Sequence, residues 1–244
     1  LDHWSLETEP TNLVKSYLKF WKQLKTYYQV FSDNLLKNKQ GYQNLSKLCS
    51  IGWVDGFYYV PRIDKEVLKQ YKGDLIALSG AVTGEIPYLI LNVGTKQAEE
   101  ALQWWHGEFG DDFYIELNRH QLDEENHVNQ VLLEFAAKYN IKTVAANNSY
   151  YNEKEGAEAH DILLCVKENE KRDTPIGRGR GFRWGMPNDE FYVKTQEEMK
   201  QLFADIPEAI TNIKEIIDKV EPFELSRKPL LPEFKIPEEF ADQD

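Results

Sequence analysis

The chain has 244 residues, 41% of them hydrophobic and 13% aromatic, with a net charge of −12. That composition is globular and excludes a disordered chain; the length suffices to bury about 70–75% of the unfolded surface. No apolar run approaches the about 20 residues that a membrane span needs. The acidic balance excludes a surface that is nucleic-acid footprint throughout, so any DNA contact is local.

The opening Leu-Asp-His-Trp carries neither an initiator Met nor a signal segment and reads as a stretch of something longer. From Thr11 an amphipathic helix is expected, with Leu13, Tyr17, Leu18, Trp21 and Leu24 at helical spacing. Residues 41–62 read as a short helix followed by an aromatic-rich loop, Gly56 to Arg62. Asp64 is placed to cap a helix through Tyr71 that ends on a left-handed Gly73. Residues 74–79 then form a buried strand.

A helix begins at Thr95 with Ala98, Ala101, Leu102 and Trp105 on one face, and Phe113 to Leu117 is the next strand. Asp123 is expected to cap a helix whose apolar positions are Val128, Val131, Leu132, Phe135 and Ala136, a single broad stripe. Asn140 ends it, and Lys142 to Ala146 is a third strand. Helices alternating with strands predict βαβ units and a mostly parallel sheet or barrel. Cys49 and Cys165 stand apart in apolar surroundings and read as buried thiols of a reducing cytosol.

Residues 174–188 are too rich in Gly and Pro for a regular element. Helices resume where Thr195 and Glu198 form a capping box, and again where Pro207 suits a first turn. That last helix carries Ile206, Ala209, Ile210, Ile213, Ile217 and Val220. The final 24 residues hold four of ten prolines and form an extended connector. The expected organisation is an α/β domain over 1–173, a basic Gly/Arg-rich loop over 174–194, a helical extension over 195–220 and a Pro-rich connector over 221–244.

Five histidines occur, His3, His106, His120, His127 and His160, none in a His-x-His or His-x-x-x-His pair. His127 is expected on a solvated face, His106 at a helix end where a cation suits the dipole, and His160-Asp161 in a capping or core role. No Gly-x-Ser-x-Gly elbow is present, and Gly177-x-Gly179-x-Gly181 has the wrong spacing for a nucleotide loop. The positive signal is charge. Between Lys167 and Arg183 six basic residues face three acids, interleaved with Phe182 and Trp184. Arg178, Arg180 and Arg183 are therefore the candidate nucleic-acid contacts, against the alternative of a solvated hairpin whose arginines pair with nearby acids.

Four stretches resemble the α subunit of bacterial DNA polymerase III of the dnaE type. They are Gln40 to Leu48; Tyr114 to Leu117 with Arg119-His120; Val144 to Asn148 leading to Ala159-His160-Asp161-Ile162; and Phe191-Tyr192 through Glu197-Glu198-Met199, Leu202 to Ile210 and Asn212. The resemblance runs from about residue 28 to residue 240; Phe31-Ser32-Asp33-Asn34 departs from it. It implies a partial PHP-type (β/α) barrel with a C-terminal helical extension. In metal-binding relatives that barrel gathers His, Asp, Glu and Cys at one end and supports a metal-dependent phosphoesterase or 3′–5′ exonuclease. Here the ligand positions hold Tyr28, Ala81 and Asn148-Ser149-Tyr150, poor donors beside imidazole, thiolate and carboxylate. The resemblance thus implies a degenerate site, with no catalytic residue, metal ligand or cofactor in this stretch. The activity of the parent, template-directed DNA synthesis with Mg2+, would lie beyond it. Its implied partners are primer–template DNA, the other replicase subunits and a proofreading exonuclease subunit, in the cytoplasm and away from the membrane. The alternative is a free-standing metal-dependent phosphoesterase of the same superfamily.

Overall fold

The computed structural model describes residues 34–177 and 179–226. The expected helix from Thr11, His3, the position of Tyr28, Arg178 and the connector beyond residue 226 lie outside the described residues. Four strands form one sheet in chain order: β1 (Asn34–Leu36), β2 (Leu75–Leu78), β3 (Phe113–Asn118) and β4 (Thr143–Ala146). β2, β3 and β4 pair in parallel, with Ala77 opposite Phe113 and Ile115 opposite Thr143. β1 pairs antiparallel to β2, Leu35 facing Ile76. The sheet curls as half of a barrel, so the expected α/β class and partial PHP-type barrel are what the chain adopts. β1 itself has no counterpart among the expected elements, because three residues show no period.

Eight α-helices occur among the described residues: α1 (Lys39–Val54), α2 (Lys65–Tyr71), α3 (Glu85–Asn92), α4 (Thr95–Phe109), α5 (Asp123–Tyr139), α6 (Ala157–Glu168), α7 (Gln196–Leu202) and α8 (Pro207–Asp218). α1 is a full 16 residues, capped by Asn38, whose side chain accepts from the Gly41 amide at 3.0 Å. Asp64 caps α2 by accepting from the Val67 amide at 2.8 Å. The left-handed residue after α2 is Asp74 (φ 59°), not Gly73. Asp74 is held there by tertiary bonds, its carbonyl accepting from Lys37 N and its carboxylate from Asn38 Nδ2, both at 3.0 Å. Asp tolerates that region through such local bonding.

α3 was not expected; its signal is Pro87 in the first turn. The stripe of α5 packs as its spacing demands, Val128, Val131, Leu132, Phe135 and Ala136 all buried. Leu122, not Asp123, is the N-cap of α5, and Asp123, Glu124 and Glu125 fill its first turn, where carboxylates suit the dipole. Asn140 closes it in the left-handed conformation. In α4 the expected face is buried around Trp105, stacked at 5.5 Å on Phe109 and 6.4 Å on Phe113. The Trp105 indole N–H donates to Glu85 at 2.8 Å, satisfying the one polar atom of that buried ring.

The capping box of Thr195 and Glu198 forms at α7, and Pro207 opens α8. α8 bridges two apolar clusters, one around Trp105 and one around Tyr114, with Ile213 packed against both. Ile206 and Ala209 are buried and Ile210 and Ile213 pack on the core as expected, whereas Ile217 and Val220 are exposed: Ile216 takes the inner position, and Ile217 falls about 100° beyond it. Beyond α8 the Glu221 amide donates to Lys37 O at 2.7 Å, and Phe223 packs on Tyr42. No helix among the described residues is long and apolar enough to cross a membrane.

Candidate functional site

The carboxyl ends of β2, β3 and β4 lie side by side, the position where parallel sheets place their chemistry. After β2 the chain turns through Ser79 and Gly80 (φ 77°) to Ala81. The Ser79 amide donates to Tyr114 O at 3.0 Å, and its hydroxyl oxygen accepts from the Glu116 amide at 2.9 Å. Gly84 then passes so near this turn that a Cβ would stand 2.5 Å from Ser79 O, so the residue is glycine for close approach.

At the end of β3 a polar cluster is buried. Glu116, Asn118, His120, Glu125 and Asn129 are each less than one-tenth exposed. Glu125 accepts from the His120 amide at 2.5 Å and meets its ring Nδ1 at 2.8 Å. Phe191 stacks on the His120 ring at 4.4 Å, and Asn188 donates to His120 O at 2.6 Å. Asn118 donates to Glu116 at 2.7 Å, and Asn129 donates to Asn118 O at 2.8 Å. Asn118 Oδ1 and His120 Nε2 are buried and have no hydrogen-bond partner among the described residues. A cavity of about 10 Å³ beside Gly80, Ala81, Glu116 and Asn118 has room for one water molecule. His120 carried no signal of its own in the sequence, since its partner lies five residues on in the first turn of α5.

At the end of β4, Asn147 donates to Tyr192 O at 2.8 Å, and the Tyr150 amide donates to Phe191 O at 2.8 Å. Asn148 Nδ2 reaches the Tyr150 hydroxyl at 3.4 Å. Ala81 offers only a methyl group. Among the described residues, no three or more His, Cys, Asp or Glu side chains converge so as to hold a metal ion.

The basic loop is a bridged hairpin. Ile176 and Arg183 form a bridge, with Gly177 N donating to Arg183 O at 2.9 Å and Arg183 N to Pro175 O at 3.0 Å. The two candidate arginines among the described residues are not equivalent. Arg180 is exposed. Arg183 is 5% exposed and clamps Asp161 of α6 with both terminal nitrogens, at 2.6 and 2.9 Å. Its Nε donates to Thr174 O at 2.8 Å. These hydrogen bonds hold the Asp161 carboxyl below the usual carboxylate range, against the opposing effect of its burial. His160 lies between the rings of Tyr150 and Tyr151, at 5.6 and 5.5 Å, and its burial lowers its pKa. Beside it opens a cleft of about 210 Å³ lined by Glu158, His160, Asp161, Met186 and Asn188. The charges at its wall are met locally: Glu158 by Arg172 at 2.7 Å, Asp161 by Arg183, and Asp189 by Lys154 at 3.4 Å. His127 is exposed and His106 stands in the last turn of α4.

Residues 13–120 match the family model described as PHP domain. The chain is 41% identical over 207 residues to DNA polymerase III subunit alpha of Borreliella burgdorferi, which covers 84% of this chain and 18% of that protein. It is 46% identical over 175 residues to the Thermus aquaticus protein of the same name, with 72% of this chain and 14% of that one covered. With the Treponema pallidum protein of that name the identity is 38% over 211 residues, 86% of this chain and 18% of the relative. The chain thus spans less than a fifth of the length of these curated relatives. By sequence the chain is a homologue of a segment of bacterial DNA polymerase III α subunits, with the PHP-domain match over residues 13–120.

Proposed function

We propose that these residues are the PHP portion of a replicative DNA polymerase III α subunit and act there as a scaffold and docking domain with a degenerate metal site. The observation that carries this reading is the 41% identity across 84% of the chain to a protein named as that subunit; the degenerate site rests on Ala81, Asn148 and Tyr150 standing where the resemblance implies metal ligands. In this reading DNA synthesis belongs to palm carboxylates and Mg2+ outside these residues, in the cytoplasm, on primer–template DNA with the other replicase subunits. A proofreading exonuclease subunit is the partner for which the PHP surface supplies a dock. Arg180, with Arg178, is the phosphate-contacting part of the basic hairpin, and Arg183 holds that hairpin in place.

The test has two arms. The native protein should have polymerase length and extend a primer, while residues 1–244 alone should not. Template-directed incorporation by the 244 residues would refute the assignment. The second reading, a metal-dependent phosphoesterase with 3′–5′ exonuclease activity, rests on the buried Glu116, His120 and Glu125 at the strand ends. Metal-stimulated hydrolysis of a phosphodiester that is lost in Glu116→Gln would decide for it.

A further inference from the structure

The basic hairpin holds two aromatic rings in solvent. Arg183 is 5% exposed, while its neighbours Phe182 and Trp184 are each 49% exposed, the alternation of an extended segment with one side turned inward. Inward, Arg183 clamps Asp161 of α6, so the outward side is fixed relative to the domain. Phe182 lies across the hairpin on Gly177, where a Cβ would stand 2.5 Å from Phe182 Cδ1; only glycine leaves the ring that seat. Gly179 to Phe182 closes as a turn, with Phe182 N donating to Gly179 O at 3.3 Å and Gly181 at φ 88°. That turn carries the exposed Arg180 at its apex.

We propose that the outward side of this hairpin is a stacking platform for an unpaired DNA strand, with one base inserted between Phe182 and Trp184 and a neighbouring phosphate met by Arg180. The inference deepens the reading of the hairpin as a phosphate contact and rests on it. Two observations select that occupant. Side chains two residues apart on an extended segment stand about 6.6 Å apart, twice the stacking repeat of ~3.4 Å along a nucleic-acid strand, so one flat base fills the space between the rings. Bases in a duplex are already stacked on one another and offer no free face, whereas aromatic platforms take unpaired strands of any sequence. The charge agrees. In a chain of net −12, the stretch from Lys167 to Arg183 carries six basic residues against three acids, complementary to a phosphate backbone.

The experiment uses the full-length protein with a photo-crosslinking phenylalanine analogue at position 182 and a primer–template whose template strand ends in an unpaired overhang. The expected result is a crosslink, mapped by mass spectrometry, to a nucleotide of that overhang. Its yield should fall about tenfold in Trp184→Ala and persist in Trp184→Phe, which keeps a ring. Protection of the Gly177 and Arg183 amides, both bonded within the hairpin, from hydrogen exchange should be retained in each variant. Crosslinks to duplex nucleotides alone, to protein alone, or none at all would overturn the proposal, as would an equal yield with Trp184→Ala. If Arg180→Ala flattens the salt dependence of DNA binding but no crosslink forms, the stacking alone fails; if neither is seen, the phosphate reading fails with it.

Discussion

Arg183 and Asp161 meet through two parallel hydrogen bonds, 2.6 and 2.9 Å long, across 22 residues of chain. The guanidinium fork matches the carboxylate edge to edge, the geometry that makes Arg and Lys non-interchangeable. Arg183→Lys and Arg183→Ala should therefore both lower the thermal midpoint by several degrees, with the hairpin amides at Gly177 and Arg183 losing hydrogen-exchange protection first. An unchanged exchange pattern would show that backbone bonding alone shapes the hairpin.

The sign of the pH effect at this pair follows from the direction of the shift. The folded Asp161 carboxyl titrates below its ordinary value, so its contribution is complete above that ordinary value and is lost as pH falls through the folded one. The stability difference between wild type and Arg183→Ala should narrow as the solution is acidified below about pH 4, as measured by urea midpoints.

Glu215 offers a larger acid-side signal. Lys142 first, then the Tyr114 hydroxyl donating at 2.6 Å, pull its pKa down from 4.5 to about 2. Its stabilisation is present above pH 4.5 and fades toward pH 2. After discounting for its partial exposure it amounts to about 1–2 kcal/mol. Glu215→Gln should cost about that much at pH 7 and almost nothing near pH 2, measured by chemical unfolding at both values.

On DNA, the hairpin arginines should separate by role. Arg180→Ala should flatten the slope of log affinity against log salt by about 1 unit without altering sequence preference. Arg183→Ala should act through folding, moving thermal stability together with affinity. If Arg180→Ala leaves the slope of the full-length protein unchanged, the hairpin makes no phosphate contact.

Elemental analysis of the purified protein should give no stoichiometric zinc or manganese. Restoring side chains with Ala81→Cys, Asn148→Asp and Tyr150→His together should raise metal affinity, because thiolate, carboxylate and imidazole replace a methyl, an amide and a phenol. Stoichiometric metal in the unaltered protein would refute the degenerate site.

The sequence by itself determined the elements whose information is local. The stripe of α5, the capping box at Thr195, the Asp64 cap and the proline that opens α8 are readable because helical periodicity and capping act within four residues. The residue types at positions 81, 148 and 150 were likewise legible, since ligand chemistry is a property of the side chain. Tertiary structure decided what depends on distant partners. Asp74 rather than Gly73 turns left-handed because Lys37 and Asn38 hold it. β1 exists because β2 offers an edge to three residues. Arg183 looked equivalent to Arg180 in a run of like residues, and only the approach of α6 turns one inward and leaves the other in solvent. Pairings across tens of residues leave no period in the chain, so burial and charge partner are fixed only once the elements have packed.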